Sequence, residues 1–304
     1  MSCLLVFLSA TRKVSDCVVL MPKIRCLLAW AICCGASLAL ADQTGIRSPA
    51  LLRATYVELR PQLENSPFSR PLYLKSSDAD SHVKGDIYAL VRYPFAIVNE
   101  ELNDPSHWCD MLLLHVYTRK CNAVPDQGAS SVVVNIERKA FALFDNSYTV
   151  SFLYRAASTA PDYLDVSLTA ATGPMGTSDY RVLLQAVAVE EGETFVHFSY
   201  ANAYGFTGRI AMETYLATLG RSKVGFTRAG EYPKVTPSYI GGVRGVVERN
   251  TMRYYLAMEA YLAALSTPPP ERQEKRLQSW FTSTEQYARQ LHEVDRATYL
   301  EMKR

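Results

Sequence analysis

The chain has 304 residues, of which 48% are hydrophobic, and its 32 basic and 30 acidic residues give a formal net charge of +2. A composition this close to neutral, without a basic run, gives no electrostatic reason to expect a nucleic-acid partner. The length and the hydrophobic content suit one globular domain of about 200 residues with flanking helices.

Residues 1–41 have the pattern of a secretory leader. A short basic start follows Met21, an apolar core of 15 residues occupies positions 26–40, and Ala39-Leu40-Ala41 forms a small-x-small cleavage site. The apolar core is shorter than the ~20 residues that a membrane span needs. We therefore expect a mature protein that is periplasmic or secreted and has no membrane span. An uncleaved membrane anchor is the alternative.

Removal of the leader changes both charge and cysteine content. Four of the 32 basic residues and one of the 30 acidic residues lie in positions 1–41, so the mature chain carries a net charge of −1. Only Cys109 and Cys121 remain of the seven cysteines. Two cysteines in an oxidising compartment most simply form a disulfide, with free thiols or a redox pair as alternatives. Residues 1–20 do not improve the leader, and we expect translation to start at Met21.

Hydrophobic periodicity predicts the helices of the mature chain. In chain order they occupy residues 49–65, 94–104, 106–112, 210–219, 240–265 and 271–300. Pro61 is expected to limit the first of them. The prolines at 268–270 end the longest, at 240–265.

Alternating patterns bounded by turn residues predict the strands. After a short extended piece at 72–75, they occupy residues 83–92, 112–119, 131–143, 147–158, 163–172, 179–190 and 194–205. A loop is expected at 225–236. The short links between the later strands imply an antiparallel meander. The fold class is therefore α+β.

The longest predicted helix carries one apolar stripe with a polar residue at its middle. The stripe consists of Val243, Val247, Asn250, Tyr254, Met258, Tyr261 and Leu265. An unpaired amide in an apolar interior costs about 1–3 kcal/mol, so Asn250 should bond either a strand or a ligand head group. Arg244 and Glu248 are spaced to pair on one flank. Arg249 and Arg253 form a basic ridge on the other, either solvated or facing an anion.

Aromatic and histidine side chains complete the candidate ligand-binding residues. Tyr154, Tyr180 and Tyr200 lie on predicted strands, and together with Tyr254 they suit a pocket that is apolar in body and polar at its tips. His197 alternates with residues 196 and 198. It is a surface or edge residue if those face the interior, and a candidate general base if the strand is turned the other way.

The order of elements resembles that of the START-like superfamily, which has the helix-grip fold. The resemblance covers residues 83–265 and is carried by DIYALVRYPFAIVNEELNDPSHWCDML, with its proline-marked helix start and the P-x-x-W segment from Pro105 to Trp108. The superfamily includes lipid-transfer domains, polyketide cyclases and plant pollen allergens. Membership implies a curved antiparallel sheet wrapped around the long helix, with a cavity between them that usually holds a hydrophobic ligand.

Our leading hypothesis is a protein that binds a hydrophobic or amphipathic, lipid-like molecule between the sheet and the helix at 240–265. It predicts a cavity of roughly 300 Å³. The sequence contains no motif for a metal, a nucleotide, another cofactor or a covalent catalyst. The alternatives are a cyclase- or hydrolase-type enzyme in the same cavity, and an interaction protein. Residues 266–304 pack on the domain or, in the last case, bind a partner.

Overall fold

The structure is a computed structural model that describes residues 48–125, 130–137, 147–218, 222–229 and 238–304. The predicted leader at 1–41 lies outside the described residues, so export stays a prediction. The end of the strand predicted at 131–143, Gly220 and most of the loop predicted at 225–236 also lie outside them.

Eight strands and eight α-helices form the described part of the chain. The strands are β1 (Leu72–Ala79), β2 (His82–Val91), β3 (Thr118–Val124), β4 (Ser130–Ile136), β5 (Tyr148–Ala160), β6 (Tyr163–Thr172), β7 (Thr177–Glu190) and β8 (Glu193–Tyr204). The helices are α1 (Pro49–Glu64), α2 (Phe95–Leu102), α3 (Pro105–Leu112), α4 (Phe206–Ala217), α5 (Gly242–Ala263), α6 (Arg272–Glu285), α7 (Ala288–Leu291) and α8 (Arg296–Lys303).

The strands form one curved, unclosed antiparallel sheet in the order β1-β2-β8-β7-β6-β5-β4-β3. Because β8 returns to pair with β2, the last strand lies beside the strand that precedes α2. Residues such as Val196 and Phe198 enter the main core beside α5, and the neighbouring Phe195 faces a smaller core beneath α1. This alternation gives the sheet two buried faces. The predicted α+β class is confirmed.

Helix α5 is buried on nearly all sides, which differs from the predicted amphipathic helix. One side lies over β1, β2 and β8, and the opposite side is covered by α6. Trp280 of α6 is buried there, and its Nε1 donates a hydrogen bond to the carbonyl oxygen of Arg253 at 3.0 Å. The sequence pattern did not predict burial on this side, because the residues outside the predicted stripe include two arginines and a glutamate, which are buried as well.

A glycine in β2 sets how closely α5 approaches the sheet. A Cβ atom added at Gly85 would lie 2.2 Å from Oγ1 of Thr251 and 3.4 Å from the carbonyl oxygen of Val247. The Thr251 hydroxyl donates to that same carbonyl at 2.7 Å, so its position is fixed. Only glycine therefore permits this helix-to-sheet distance.

Helix α3 is joined to β3 by a disulfide between Cys109 and Cys121, as predicted. Their Cα atoms are 5.2 Å apart and the residues are separated by 12 positions. Closing a loop of this length contributes on the order of 3 kcal/mol in the chain-entropy model.

The strand predicted at 112–119 is wrong, since β3 begins only at Thr118. The backbone of residues 113–115 continues in turns, with Leu113 bonded to Cys109 and Leu114 bonded to Met111. Leu114 and Val116 are buried. The alternating apolar pattern that is typical of a strand therefore lies here in a turn, which buries the same side chains. The extended piece predicted at 72–75 is the first half of a full strand, β1, that pairs with β2.

The single helix predicted at 271–300 is divided into α6, α7 and α8. Asp295 begins α8, because its carboxylate accepts a hydrogen bond from the backbone N–H of Thr298 at 3.0 Å. Leu277, Phe281 and Tyr299 pack into the main core. Helix α1 continues past Pro61 to Glu64, three residues beyond the proline that was expected to limit it.

The close approach at Gly85 predicts a large cost for one added methyl group. Gly85→Ala should lower the free energy of unfolding by about 1–3 kcal/mol, because the new Cβ overlaps the Thr251 hydroxyl. The double variant Gly85→Ala/Thr251→Ala should recover part of the loss, as measured by urea denaturation. Gly205→Ala is the control, since a Cβ there meets no atom within 4 Å. Equal effects of the two single variants would contradict this account of the helix-to-sheet distance.

Candidate ligand-binding site

The space between the sheet and the middle of α5 is almost completely filled. The void that remains is about 10 Å³, roughly the room for a single water molecule. It is lined by Trp108, Met111, Leu112, Val182, Leu184, Phe198, Tyr254, Ala257 and Met258. The cavity of roughly 300 Å³ that was expected between the sheet and this helix is therefore not found at the middle of α5. Large side chains from α3, α5 and the sheet occupy the volume instead.

Four predicted ligand-binding residues do come together beside this void, as a packed cluster. The Tyr180 hydroxyl lies 2.7 Å from Oγ1 of Thr177, and the Tyr200 ring lies 6.2 Å from the Tyr180 ring and 5.5 Å from the Tyr254 ring. Asn250 lies close to Tyr200, and its Oδ1 accepts a hydrogen bond from Nη1 of Arg253 at 3.4 Å within α5. Burial raises the pKa values of Tyr200 and Tyr254, so both phenols stay neutral. The two roles predicted for Asn250, a bond to a strand or to a ligand head group, stay predictions.

Tyr154 lies apart from this cluster. It is buried among core residues, and within the described part of the chain its hydroxyl has no hydrogen-bond partner. Burial raises its pKa, and the negative charge of Asp104 raises it further. An unpaired buried hydroxyl costs free energy, and Tyr154 lines neither the void beside α5 nor the cleft described below.

Arg244 and Glu248 do not form the direct pair that their spacing predicts. Both bond Ser76 instead: Nε of Arg244 donates to the Ser76 hydroxyl at 3.2 Å, and that hydroxyl donates to Glu248 at 2.6 Å. Glu248 is fully buried and also accepts hydrogen bonds from the backbone N–H groups of Phe226 and Thr227, at 2.6 and 2.9 Å. Its carboxylate therefore ties β1 and residues 226–227 to α5 and is not available to a ligand.

The predicted basic ridge is buried rather than solvated. Arg249 and Arg253 are 2% and 4% exposed. Arg253 donates a hydrogen bond to Oε1 of Glu293 at 2.5 Å. This contact links the segment after α7 to α5. Burial alone would raise the pKa of Glu293, but the charges of Arg253 and Lys223 lower it. The ridge therefore holds the C-terminal helices in place.

His197 lies on the face of the sheet opposite α5, but it is neither exposed nor available as an interior base. It is 1% exposed and stacks on Tyr88 with a ring separation of 4.4 Å. Its Nε2 lies 2.8 Å from Asp86 and its Nδ1 lies 3.0 Å from Oε1 of Gln185. Burial lowers the pKa of His197, and Asp86 opposes that shift. The partners come from β2 and β7, which the sequence pattern could not bring together.

A second buried histidine, His115, was not predicted as a functional residue. Its ring lies 5.2 Å from that of Tyr254, and its Nδ1 is 3.4 Å from the backbone N–H of Tyr117. The Lys303 ammonium donates to the carbonyl oxygen of His115 at 2.6 Å, and burial lowers the pKa of Lys303 to about 7. His115 thus lies where Lys303 of α8 binds the turn before β3.

A cavity lies at the C-terminal end of α5. We call it the end cleft. It has a volume of about 320 Å³ and is bounded by the end of β2, the last two turns of α5 and one face of α6. It is lined by Pro71, Leu90, Val91, Arg92, Tyr93, Glu259, Ala260, Leu262, Ala263, Ser279 and Ser283. None of these residues was predicted, because they come from segments that are far apart in the sequence and carry no shared motif.

The one carboxylate of the end cleft is already paired within the protein. Glu259 forms an ion pair with Arg70 and accepts a hydrogen bond from the Tyr255 hydroxyl at 2.8 Å. Arg70 also donates to Gln286 at 2.6 Å. Burial raises the pKa of Glu259, and Arg70 opposes that shift. The negative charge at this end of α5 is therefore compensated before any ligand binds.

No cluster of three or more histidine, cysteine, aspartate or glutamate side chains suited to a metal ion occurs among the described residues. Within the same residues, no helix is both long and apolar enough to cross a membrane.

Two features of the topology decide the fold. The two short helices α2 and α3 separate β2 from β3, and β8 returns to pair with β2. The long helix α5 then follows the sheet and packs against its inner face. This is the helix-grip fold. The predicted resemblance to START-like proteins is thus confirmed at the level of the fold.

The helix-grip fold also appears among similar solved structures. The human StAR-related lipid transfer protein 5 is 7% identical, with 56% of this chain and 89% of that chain covered and a TM-score of 0.32. Ara h 8.0201 is 11% identical, with 64% and 99% covered and a TM-score of 0.35. The ZhuI aromatase/cyclase from Streptomyces sp. R1128 is 16% identical, with 49% of this chain and 86% of that chain covered and a TM-score of 0.31.

Scores and identities of this size give no argument about ligand or activity, and the fold assignment rests on the topology. No protein-family model and no curated protein matches the chain.

The environment of His115 predicts a loss of stability in weak acid. Burial lowers its pKa well below the usual value, and the charges of Arg253 and Lys303 lower it further. The folded state keeps this histidine neutral, whereas the unfolded state binds a proton below about pH 6.5. We expect the free energy of unfolding to fall from pH 6.5 to pH 5, by up to about 1.4 kcal/mol per pH unit for this group. Urea titrations at several pH values measure it.

His115→Gln should reduce that pH dependence. Part of it should remain, because the pKa of His197 is lowered as well and acts in the same direction. The control is His82→Gln, which replaces an exposed histidine at the start of β2. A slope in His115→Gln equal to that of the unmodified protein would contradict the assignment.

Proposed function

We propose that this chain is an exported helix-grip protein that binds an amphipathic small molecule in the end cleft. The observation that carries the proposal is the cleft volume of about 320 Å³. It lies at the lower end of the range of roughly 300–1,000 Å³ that is typical of small-molecule pockets. The void beside the middle of α5 is about 10 Å³ and offers no comparable space.

The composition of the end cleft suits an amphipathic ligand. Val91 and Leu262 are the larger apolar residues of its lining, while Ala260 and Ala263 are small and leave room between β2 and α6. Polar side chains at positions 92, 93, 279 and 283 border the same space. A mostly apolar pocket with a few polar groups is the usual composition of a small-molecule site.

Binding is better supported than catalysis. The end cleft has no histidine, and its carboxylate, Glu259, is held by Arg70 and Tyr255. His197, the general base considered from the sequence, lies on the other face of the sheet. The C-terminal segment uses Leu277, Trp280 and Phe281 to cover α5, which favours a structural role for it over capture of a protein partner.

Export to the periplasm is part of the proposal. It is supported by the leader pattern at 1–41 and by the disulfide between Cys109 and Cys121, which is the state expected of two cysteines in an oxidising compartment.

Blocking the end cleft should abolish binding of the natural passenger. Protein expressed with its leader and purified from the periplasm without detergent should carry a small molecule that is detected by native mass spectrometry and identified after organic extraction. Ala263→Trp places a large side chain in the cleft from the exposed end of α5. We expect passenger occupancy in this variant to fall at least about tenfold, which corresponds to about 1.4 kcal/mol.

Ala54→Trp is the matched control, because Ala54 is exposed on α1 and lies outside the cleft. It should retain the passenger at the level of the unmodified protein. Equal occupancy in Ala263→Trp would place the ligand elsewhere. If the purified protein carries no passenger and binds neither octanol nor octanoate in calorimetric titrations, the proposal is wrong.

A further inference from the structure

We infer that the ligand of the end cleft carries one anionic head group, a carboxylate or a phosphate monoester, that is held by Arg92 together with Ser279 and Ser283. The apolar part of the ligand then lies against Val91 and Leu262. This inference rests on the proposed function of the cleft and adds the chemical class of the ligand.

Arg92 is the charged group in the cleft that has no partner. It directly follows β2 and is exposed, and no hydrogen bond or ion pair from its side chain occurs within the described part of the chain. Two other arginines already form ion pairs within the protein. Arg70 pairs with Glu259, and Arg276 pairs with Asp110 at 2.6 Å. A guanidinium is always charged and has only donors, so an anion is its natural partner.

The carboxylate in the cleft does not oppose an anionic ligand strongly. Glu259 is half-buried, and its charge is balanced by Arg70 and by the hydrogen bond from Tyr255. With that pair neutral as a unit, the positive charge of Arg92 dominates the local electrostatics of the cleft.

Two serine hydroxyls add donors on the facing helix. Ser279 and Ser283 are four residues apart, so they lie on the same face of α6, and both line the cleft. Their neighbours Thr282 and Thr284 use their hydroxyls to bond backbone carbonyls within α6, at 2.8 Å each. No such bond is made by either serine hydroxyl to any described residue. Both are therefore available to a ligand oxygen.

The phenol of Tyr93 also borders the cleft. Burial raises its pKa and the nearby Glu259 raises it further, so the phenol keeps its proton and remains a donor. A carboxylate or phosphate accepts several hydrogen bonds at once and matches a guanidinium in two-point geometry. A cationic or purely apolar ligand would leave these donors unsatisfied in the complex.

Calorimetric titration with four probes of equal chain length tests the inference: octanoate, octyl phosphate, octanol and octylamine, each below its critical micelle concentration. Octanoate or octyl phosphate should bind at least about tenfold more tightly than octanol, and octylamine most weakly. Whichever anion binds more tightly identifies the head group. In Arg92→Gln the affinity for that anion should fall about ten- to a hundredfold, while the affinity for octanol stays unchanged.

Two further variants separate this effect from a general loss of positive charge or of structure. Lys120→Gln removes one exposed charge on β3, outside the cleft, and should bind all four probes as the unmodified protein does. Ser279→Ala/Ser283→Ala should weaken the anion several-fold and leave octanol unaffected.

Equal affinity for octanol and the anions, or an unchanged affinity in Arg92→Gln, would overturn the inference and leave the proposed cleft function standing. Failure of every probe to bind would overturn the inference, and together with the absence of a copurified passenger it would overturn the proposed function as well.

Discussion

The contact between Gly85 of β2 and Thr251 of α5 is the constraint on which the rest of the structure depends. Because glycine has no side chain, α5 packs so close to the sheet that the Thr251 hydroxyl lies where a Cβ atom of residue 85 would be. Glu248 reinforces this contact, since its buried carboxylate binds β1 and the backbone at 226–227. A helix held this close leaves little volume at its middle, which accounts for a void of only about 10 Å³ there.

The same geometry explains why space remains at one end. Beyond the contact at Gly85, the last turns of α5 present Ala260 and Ala263 to the end of β2, and these small side chains do not fill the gap. Helix α6 covers the opposite side of α5 through Trp280 and becomes a wall of the resulting cleft. The C-terminal helices therefore complete both the burial of α5 and the proposed site.

Much of the fold could be predicted from the sequence, because it is encoded locally. The alternating strand at 163–172 and the pairing of the two cysteines needed no knowledge of distant contacts. The candidate site could not be predicted in this way. Asn250 was recognised as a polar residue in an apolar stripe, but its neighbour Tyr200 is on β8. Arg92 follows β2 without any motif that marks a site, and its place at the cleft is visible only after β2, α5 and α6 are assembled.

The most direct test of the account is a crystal structure of the protein with its copurified passenger. The account predicts ligand density in the end cleft, with the polar end beside Arg92 and with the core around Met258 unchanged. Density between Phe198 and Met258, with α5 displaced from Gly85, would show that the interior opens to hold the ligand and would contradict the central claim.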